Sequence, residues 1–390
     1  MQCWLWDLES QERMINMPKI IVMPDSFKGT MDAIEVCDIM KAAILAREPQ
    51  AEVICVPVAD GGEGTIACFL HAFGGERIPA VVTGPYGAKK EAYYGRSGNT
   101  AIVEMAVAAG FSTVSGERNP AKATTYGVGE LIRQAVESGC RRIILGLGGS
   151  CTNDGGAGMA AALGVLFYNA EGKPFIPTGN TLHQISRIDT ASCERFLQGI
   201  TVEAMCDIDN PLYGSRGAAF VFAPQKGADE AMVKELDQNL RCYAAVISRE
   251  LGVSVETLKG GGAAGGMGAG AYVFLHADLK QGINVILDQM QFEDMLPTCD
   301  LIFTGEGQLD LQSLGGKVVV GISRRAMKAG VPVVAVAGRV QENLPDLTQV
   351  GITAAYQADP GTYRDLQDMQ RNCRHDLYRA MERALDELQL

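Results

Sequence analysis

Short apolar runs that each break off into a glycine-bearing polar loop recur along this chain. They are KIIVMPDSFKG from Lys19, AEVICVPVADGGEG from Ala51, RRIILGLGGSCTND from Arg141, DLIFTGEGQLD from Asp300 and VPVVAVAGRV from Val331. Runs of this length, bounded by turn residues, read as buried strands leaving a core at their carboxyl ends. Helical periods lie between them: AIEVCDIMKAAILARE, GELIRQAVESG, EAMVKELDQNLRCYAAVISRELG and GGKVVVGISRRAMKAG, each bounded by Gly or Pro. Alternating β and α predicts an α/β fold built on a Rossmann-like, doubly wound, mostly parallel sheet. Ligands of such sheets bind beyond the carboxyl ends of the strands, so the polar loops are where chemistry is expected.

A chain of 390 residues, 47% apolar, is long enough for two domains. The stretch from about 81 to 113, VVTGPYGAKKEAYYGRSGNTAIVEMAVAAGF, reads as strands joined by Gly turns and opens a second, inserted α/β domain. The expected division is residues 17–80 with about 275–390 for the Rossmann-like domain and about 81–274 for the second. Residues 1–16 carry mixed charge ahead of Met17 and read as an extension outside the fold.

Charge and composition narrow the function. A net charge of −12 and a pI near 4.9 repel nucleic acid and anionic membranes. No apolar run reaches the roughly 18 residues that cross a bilayer, and the first residues lack a signal-peptide pattern, so a cytoplasmic location is expected. The eleven cysteines are scattered without a C-x-x-C pair and read as reduced thiols. Only four histidines occur, with no H-E-x-x-H, so acid/base and metal work is left to carboxylates and lysines.

Four loops hold those groups. GLGGSCTNDGGAG (146–158) combines six glycines with Ser150, Thr152, Asn153 and Asp154 ahead of an apolar helix, a set suited to phosphate oxygens and a metal, or to a turn with Asp154 as helix cap. ADGGEGT (59–65) offers Asp60 and Glu63, and CDIDNPLYG (206–214) offers Asp207, Asp209 and Asn210; each also reads as an ordinary turn. TGEGQLDLQSLGGK (304–317) places Glu306 and Asp310 ahead of Lys317, more charge than a turn requires. Lys28 in PDSFKG and Lys226 in APQKGA lie in further Pro- and Gly-flanked loops.

The familiar alternatives are missing. No P-loop occurs, since Leu311 stands five residues before Gly316 and Val318 follows Lys317; nor is there a protein-kinase set or a G-x-S-x-G elbow. A G-x-G-x-x-G does occur at Gly260, Gly262 and Gly265, but it follows a helical segment and not a strand, so it is discounted as a dinucleotide fingerprint. Gly265 and Gly266 remain as points where backbone packs closely or approaches a ligand.

In these loops the chain resembles the type I glycerate kinase family. PDSFKGT, ADGGEGT, GLGGSCTNDGGAGM, CDIDNPLYG, FAPQKGA, GGAAGGMGAG and TGEGQLD occur in that family's order, from Met17 to about the end of VPVVAVAG. Cys151 departs from the family's usual Ala, and residues 1–16 have no counterpart. The resemblance implies ATP-dependent, Mg²⁺-assisted phosphorylation of D-glycerate on a two-domain α/β fold, with the 2-phosphoglycerate typical of bacterial members.

On that reading direct in-line transfer is expected in an inter-domain cleft. Gly148, Gly149, Ser150, Thr152 and Asn153, with Gly265 and Gly266, are the nucleotide-binding candidates; Asp154, Asp209 and Glu306 are the metal candidates. Asp207 or Asp60 orients or deprotonates the glycerate hydroxyl, and Lys28, Lys226 and Lys317 neutralise developing charge. The partner is a small molecule, not nucleic acid or membrane, and the enzyme is a monomer or homodimer. Rival readings are a kinase giving 3-phosphoglycerate or acting on another hydroxy acid, a non-catalytic nucleotide or sugar-acid sensor, and a dinucleotide oxidoreductase.

Overall fold

Strands buried on both faces carry unbroken apolar runs, and Lys19–Pro24, Leu301–Gly305 and Val333–Ala337 are buried at almost every residue. In the computed structural model, which describes residues 17–390 apart from Ser115, Glu117, Gly316 and the side chain of Thr113, these strands form the centre of a parallel sheet. Its order is Ala354–Gln357, Val333–Ala337, Leu301–Gly305, Lys19–Pro24, Glu52–Cys55. Helices Ala33–Arg47 and Leu366–Leu388 bury Val36, Met40, Ile44, Leu377 and Met381 on one side. Helix Val318–Lys328 buries Val319 and Val320 with Ala335 and Ala337 on the other. The fold is α/β with parallel sheets, and residues 1–16 lie outside those described.

The chain divides into two units: residues up to Ala59 with Ile283–Leu390, and Asp60–Gly282. The expected borders were near 80 and 274. The earlier first border follows from helix Thr65–Phe73, whose Ile66 N–H donates to the buried Glu104 Oε1 at 2.6 Å and thereby ties the helix to the second unit. At the other end, strand Asp278–Lys280 pairs with Thr201–Met205 of that same unit.

The second unit holds a six-stranded sheet in the order Asp278–Lys280, Thr201–Met205, Arg142–Gly146, Thr100–Glu104, Lys89–Ser97, Glu76–Thr83. The first four are parallel and the last two antiparallel, consistent with the Gly-turn stretch seen in the sequence. Helix Glu230–Leu251, capped by Asp229 accepting from Met232 N–H, buries Leu236, Leu240, Tyr243 and Ile247 in the unit's core. Among the described residues no helix is long and apolar enough to cross a membrane.

Candidate functional site

The glycines of the strand-end loops first bring backbones together. Gly148 N–H donates to Gly61 O at 2.9 Å, and a Cβ on Gly148 would stand 2.4 Å from Gly62 Cα. Two loops approach this closely only as glycine on glycine. The contact brings Asp60, whose Oδ1 accepts from Gly62 N–H at 3.2 Å, to the end of the Arg142–Gly146 strand. One strand over, Asp207 follows Thr201–Met205, and its Oδ1 accepts from Gly282 N–H at 2.8 Å.

Asp60, Asp207, Gly148, Gly149, Ser150 and Lys226 line one cavity of about 230 Å³ in the second unit. Phe111, Leu147, Met205, Ile208 and Phe222 supply apolar wall that the motif search did not reach. Gln225, in the same APQKGA segment as Lys226, also lines it.

Lys226 is the unusual group. It ends the short turn Pro224–Lys226 and is 2% exposed. Its ammonium donates to Ser150 Oγ and to Thr152 O, both at 2.7 Å, and among the described residues it forms no ion pair. Burial drives its pKa down to about 8, with Cys151 and Asp154 pulling it back up. The neighbouring Cys151 thiol is itself pushed up to about 11 by burial and stays neutral at pH 7.

Asp154, expected among the metal ligands, is held by donors of the chain itself. It is fully buried, and its oxygens accept from Thr125 N–H (2.7 Å), Thr125 Oγ1 (2.8 Å), Gly156 N–H (3.2 Å) and Gly158 N–H (3.2 Å). Burial raises its pKa against the pull of those donors. The Gly156 and Gly158 N–H groups at the start of helix Ala157–Ala162 are thus met by this carboxylate, although the N-cap position itself is Gly156 and not Asp154. Thr152 and Asn153 are likewise wholly buried. Thr152 Oγ1, both amide atoms of Asn153 and Tyr243 Oη find no partner among the described residues. Of the 148–154 loop, therefore, residues 148–150 reach the cavity and 152–154 stand behind it.

Gly265 and Gly266 also lie behind the wall, which Ala263 and Ala264 form in front of them. Gly265 has φ +72°, and a Cβ there would stand 2.0 Å from Thr152 O. Gly265→Ala is expected to lose at least about 2 kcal/mol of stability from strain and overlap, read as a lower denaturation midpoint.

The remaining candidates are scattered. Asp209 is exposed and pairs with Arg216 at 3.3 Å. Glu306, Lys317 and Lys28 belong to the other unit, following strands Leu301–Gly305 and Lys19–Pro24, where that sheet's order turns back. Burial raises the Glu306 carboxyl, while Ser313, Lys317 and Lys28 pull it down. Among the described residues no three His, Cys, Asp or Glu side chains group to hold a metal ion.

Comparison with known proteins fits this geometry. The model of the glycerate kinase family matches residues 20–389. A glycerate kinase of Bacillus cereus is 46% identical over 341 residues, 87% of this chain and 90% of its own. The glycerate 2-kinase of Escherichia coli K12 is 44% identical over 341 residues, with the same two shares, 87% and 90%. A crystal structure provisionally assigned as glycerate kinase 2 of Salmonella typhimurium LT2 matches with a TM-score of 0.83 at 39% identity, over 96% of this chain and 100% of that one. The family model and these relatives each span most of the chain, in agreement with the order of its loop motifs: it belongs to the glycerate kinase family.

Proposed function

We propose that this protein is a cytoplasmic enzyme that transfers the γ-phosphoryl group of ATP, with Mg²⁺, to the 2-hydroxyl of D-glycerate, giving 2-phosphoglycerate. One observation carries the reading: a buried ammonium that forms no ion pair among the described residues and two carboxylates, Asp60 and Asp207, line the same small cavity. A hydroxy-acid kinase needs a cation for the acid and a carboxylate for its hydroxyl. The relatives named glycerate kinase and glycerate 2-kinase support the acceptor and the position of transfer.

Asp207 orients the acceptor hydroxyl and takes its proton, with Gly282 N–H fixing one carboxylate oxygen. The hydroxyl oxygen bonds to the γ-phosphorus as the bond to the β-phosphate oxygen breaks, and ADP leaves. Gly149 and Ser150 line the cavity. Lys28 and Lys317 balance phosphate charge in their own unit, beside Glu306. Mg²⁺ needs only one or two carboxylates when phosphates and waters fill its other positions. Asp60 would hold it, and the ion would supply charge neutralisation on the phosphates.

The test is an assay with ATP, Mg²⁺ and D-glycerate coupled through enolase without phosphoglycerate mutase. Phosphoenolpyruvate is expected to form in step with ADP. Formation of ADP alone would move the product to 3-phosphoglycerate, and silence in both would remove D-glycerate as the substrate.

A further inference from the structure

The family and its motifs leave open which cation receives the acid group of the substrate. We propose that the Lys226 ammonium seats the substrate's carboxylate and so makes this enzyme select hydroxy acids over uncharged polyols; the inference rests on the hydroxy-acid kinase reading above.

Three observations carry it. The first is the donor count. An ammonium has three protons, and two of them are committed to neutral acceptors of the protein, Ser150 Oγ and Thr152 O. The remaining donor belongs to a residue that lines the cavity. The second is the missing counter-charge. A buried ammonium is costly unless an anion compensates it. Asp154, the acid whose charge acts on it, has its oxygens taken by Thr125, Gly156 and Gly158. An anionic ligand is what completes this site. The third is size. About 230 Å³ lies below the roughly 300–1,000 Å³ of pockets for drug-sized molecules and is room for a small acid.

The segment is also held in place. Gly227, next in sequence, has φ +96°, and a Cβ there would stand 2.4 Å from Arg118 O, so the turn is pinned against the 118 segment. The Arg118 guanidinium lies over the Phe111 ring, a cavity wall, at 5.0 Å. Lys226 thus meets its ligand as a positioned point charge.

A pH signature follows. Besides Ser150 and Thr152, the groups around Lys226 are the neutral Cys151 thiol, the buried Asp154, the cavity carboxylates Asp60 and Asp207, and the permanently charged Arg118. Lys226 itself loses its proton near pH 8 when no anion is bound, and a bound carboxylate raises that value again. Affinity for the acid is therefore full below about pH 8 and falls up to tenfold per pH unit above it, because binding must then take up a proton.

The experiment measures D-glycerate binding without ATP by calorimetry at pH 8.5, in two buffers of different ionisation enthalpy. It is joined to kinetics of the native enzyme, Lys226→Met and Lys226→Arg on D-glycerate and on glycerol, which carries CH₂OH in place of the carboxylate. The native enzyme is expected to take up between half and one proton per glycerate bound. Lys226→Met is expected to raise KM for glycerate about 10- to 100-fold, to lose proton uptake and to lose the preference over glycerol. Lys226→Arg is expected to bind glycerate with no loss of affinity above pH 8. Native binding without proton uptake, or a Lys226→Met enzyme within threefold of the native KM and preference, overturns the seat while leaving the kinase reading intact. Proton-linked glycerate binding without turnover overturns the kinase reading and keeps the seat.

Discussion

Asp207→Asn is expected to lower kcat for D-glycerate by about 10²- to 10⁴-fold while leaving KM for glycerate within about threefold. The asparagine keeps a carbonyl oxygen for Gly282 N–H, the 2.8 Å bond that fixes Asp207, so the end of the strand and the cavity wall persist. What is lost is the proton acceptor and one negative charge. Phosphoryl transfer passes through a loose transition state in which base catalysis contributes only part of the rate, which places the expected fall toward the lower end of that range. Steady-state kinetics at saturating ATP and Mg²⁺ decide the matter. Turnover within threefold of the native enzyme would take Asp207 out of the chemistry. A loss restored by raising Mg²⁺ would reassign it from proton acceptor to metal holder.

Much of the fold was legible in the sequence because its signals are local. The runs at Lys19, Leu301 and Val333 are apolar over their whole length, and that pattern has few readings other than strands covered on both faces. The first unit border was placed late because helix Thr65–Phe73 shows an apolar face without showing which sheet covers it. Contacts distant in sequence decide that, among them the Ile66 to Glu104 hydrogen bond, which spans 38 residues.

The site was legible as loops, not as distances. Asp60, Asp207 and Ser150 come from strand-end loops and Lys226 from a Pro- and Gly-flanked loop, and one cavity gathers them. Their apolar neighbours Phe111 and Met205 carried no motif. The glycines were the harder case. A glycine that lets two backbones touch, as Gly148 does on Gly62 and Gly265 on Thr152, looks in sequence like one that lets a phosphate touch backbone. In both cases Cβ must be absent, and the partner is visible only in three dimensions.

Asp154 shows the same ambiguity for a carboxylate, and its removal is expected to have the largest effect on stability. Asp154→Ala strips the acceptor from the Thr125, Gly156 and Gly158 N–H groups in a wholly buried setting. Each orphaned donor costs about 1–3 kcal/mol, so for three the expected loss is about 3–9 kcal/mol. That is a large share of the roughly 5–15 kcal/mol that holds a typical protein folded. The Thr125 hydroxyl loses its acceptor too, and with it the relay from Met159 N–H through Thr125 Oγ1 that fastens helix Ala157–Ala162 to helix Tyr126–Glu137. Denaturant unfolding of the native and variant chains, with and without Mg²⁺, reads the difference. A structural cap predicts the same fall in both conditions. A metal ligand predicts stability within about 0.5 kcal/mol of native without Mg²⁺ and a raised Mg²⁺ requirement in turnover, and that pair of results would return Asp154 to the metal-binding set. The cap reading also carries a consequence for the cavity: Lys226 reaches Thr152 O two residues before Asp154, so loosening the cap frees the backbone oxygen that holds the ammonium. KM for glycerate is therefore expected to rise in whatever fraction of Asp154→Ala remains folded.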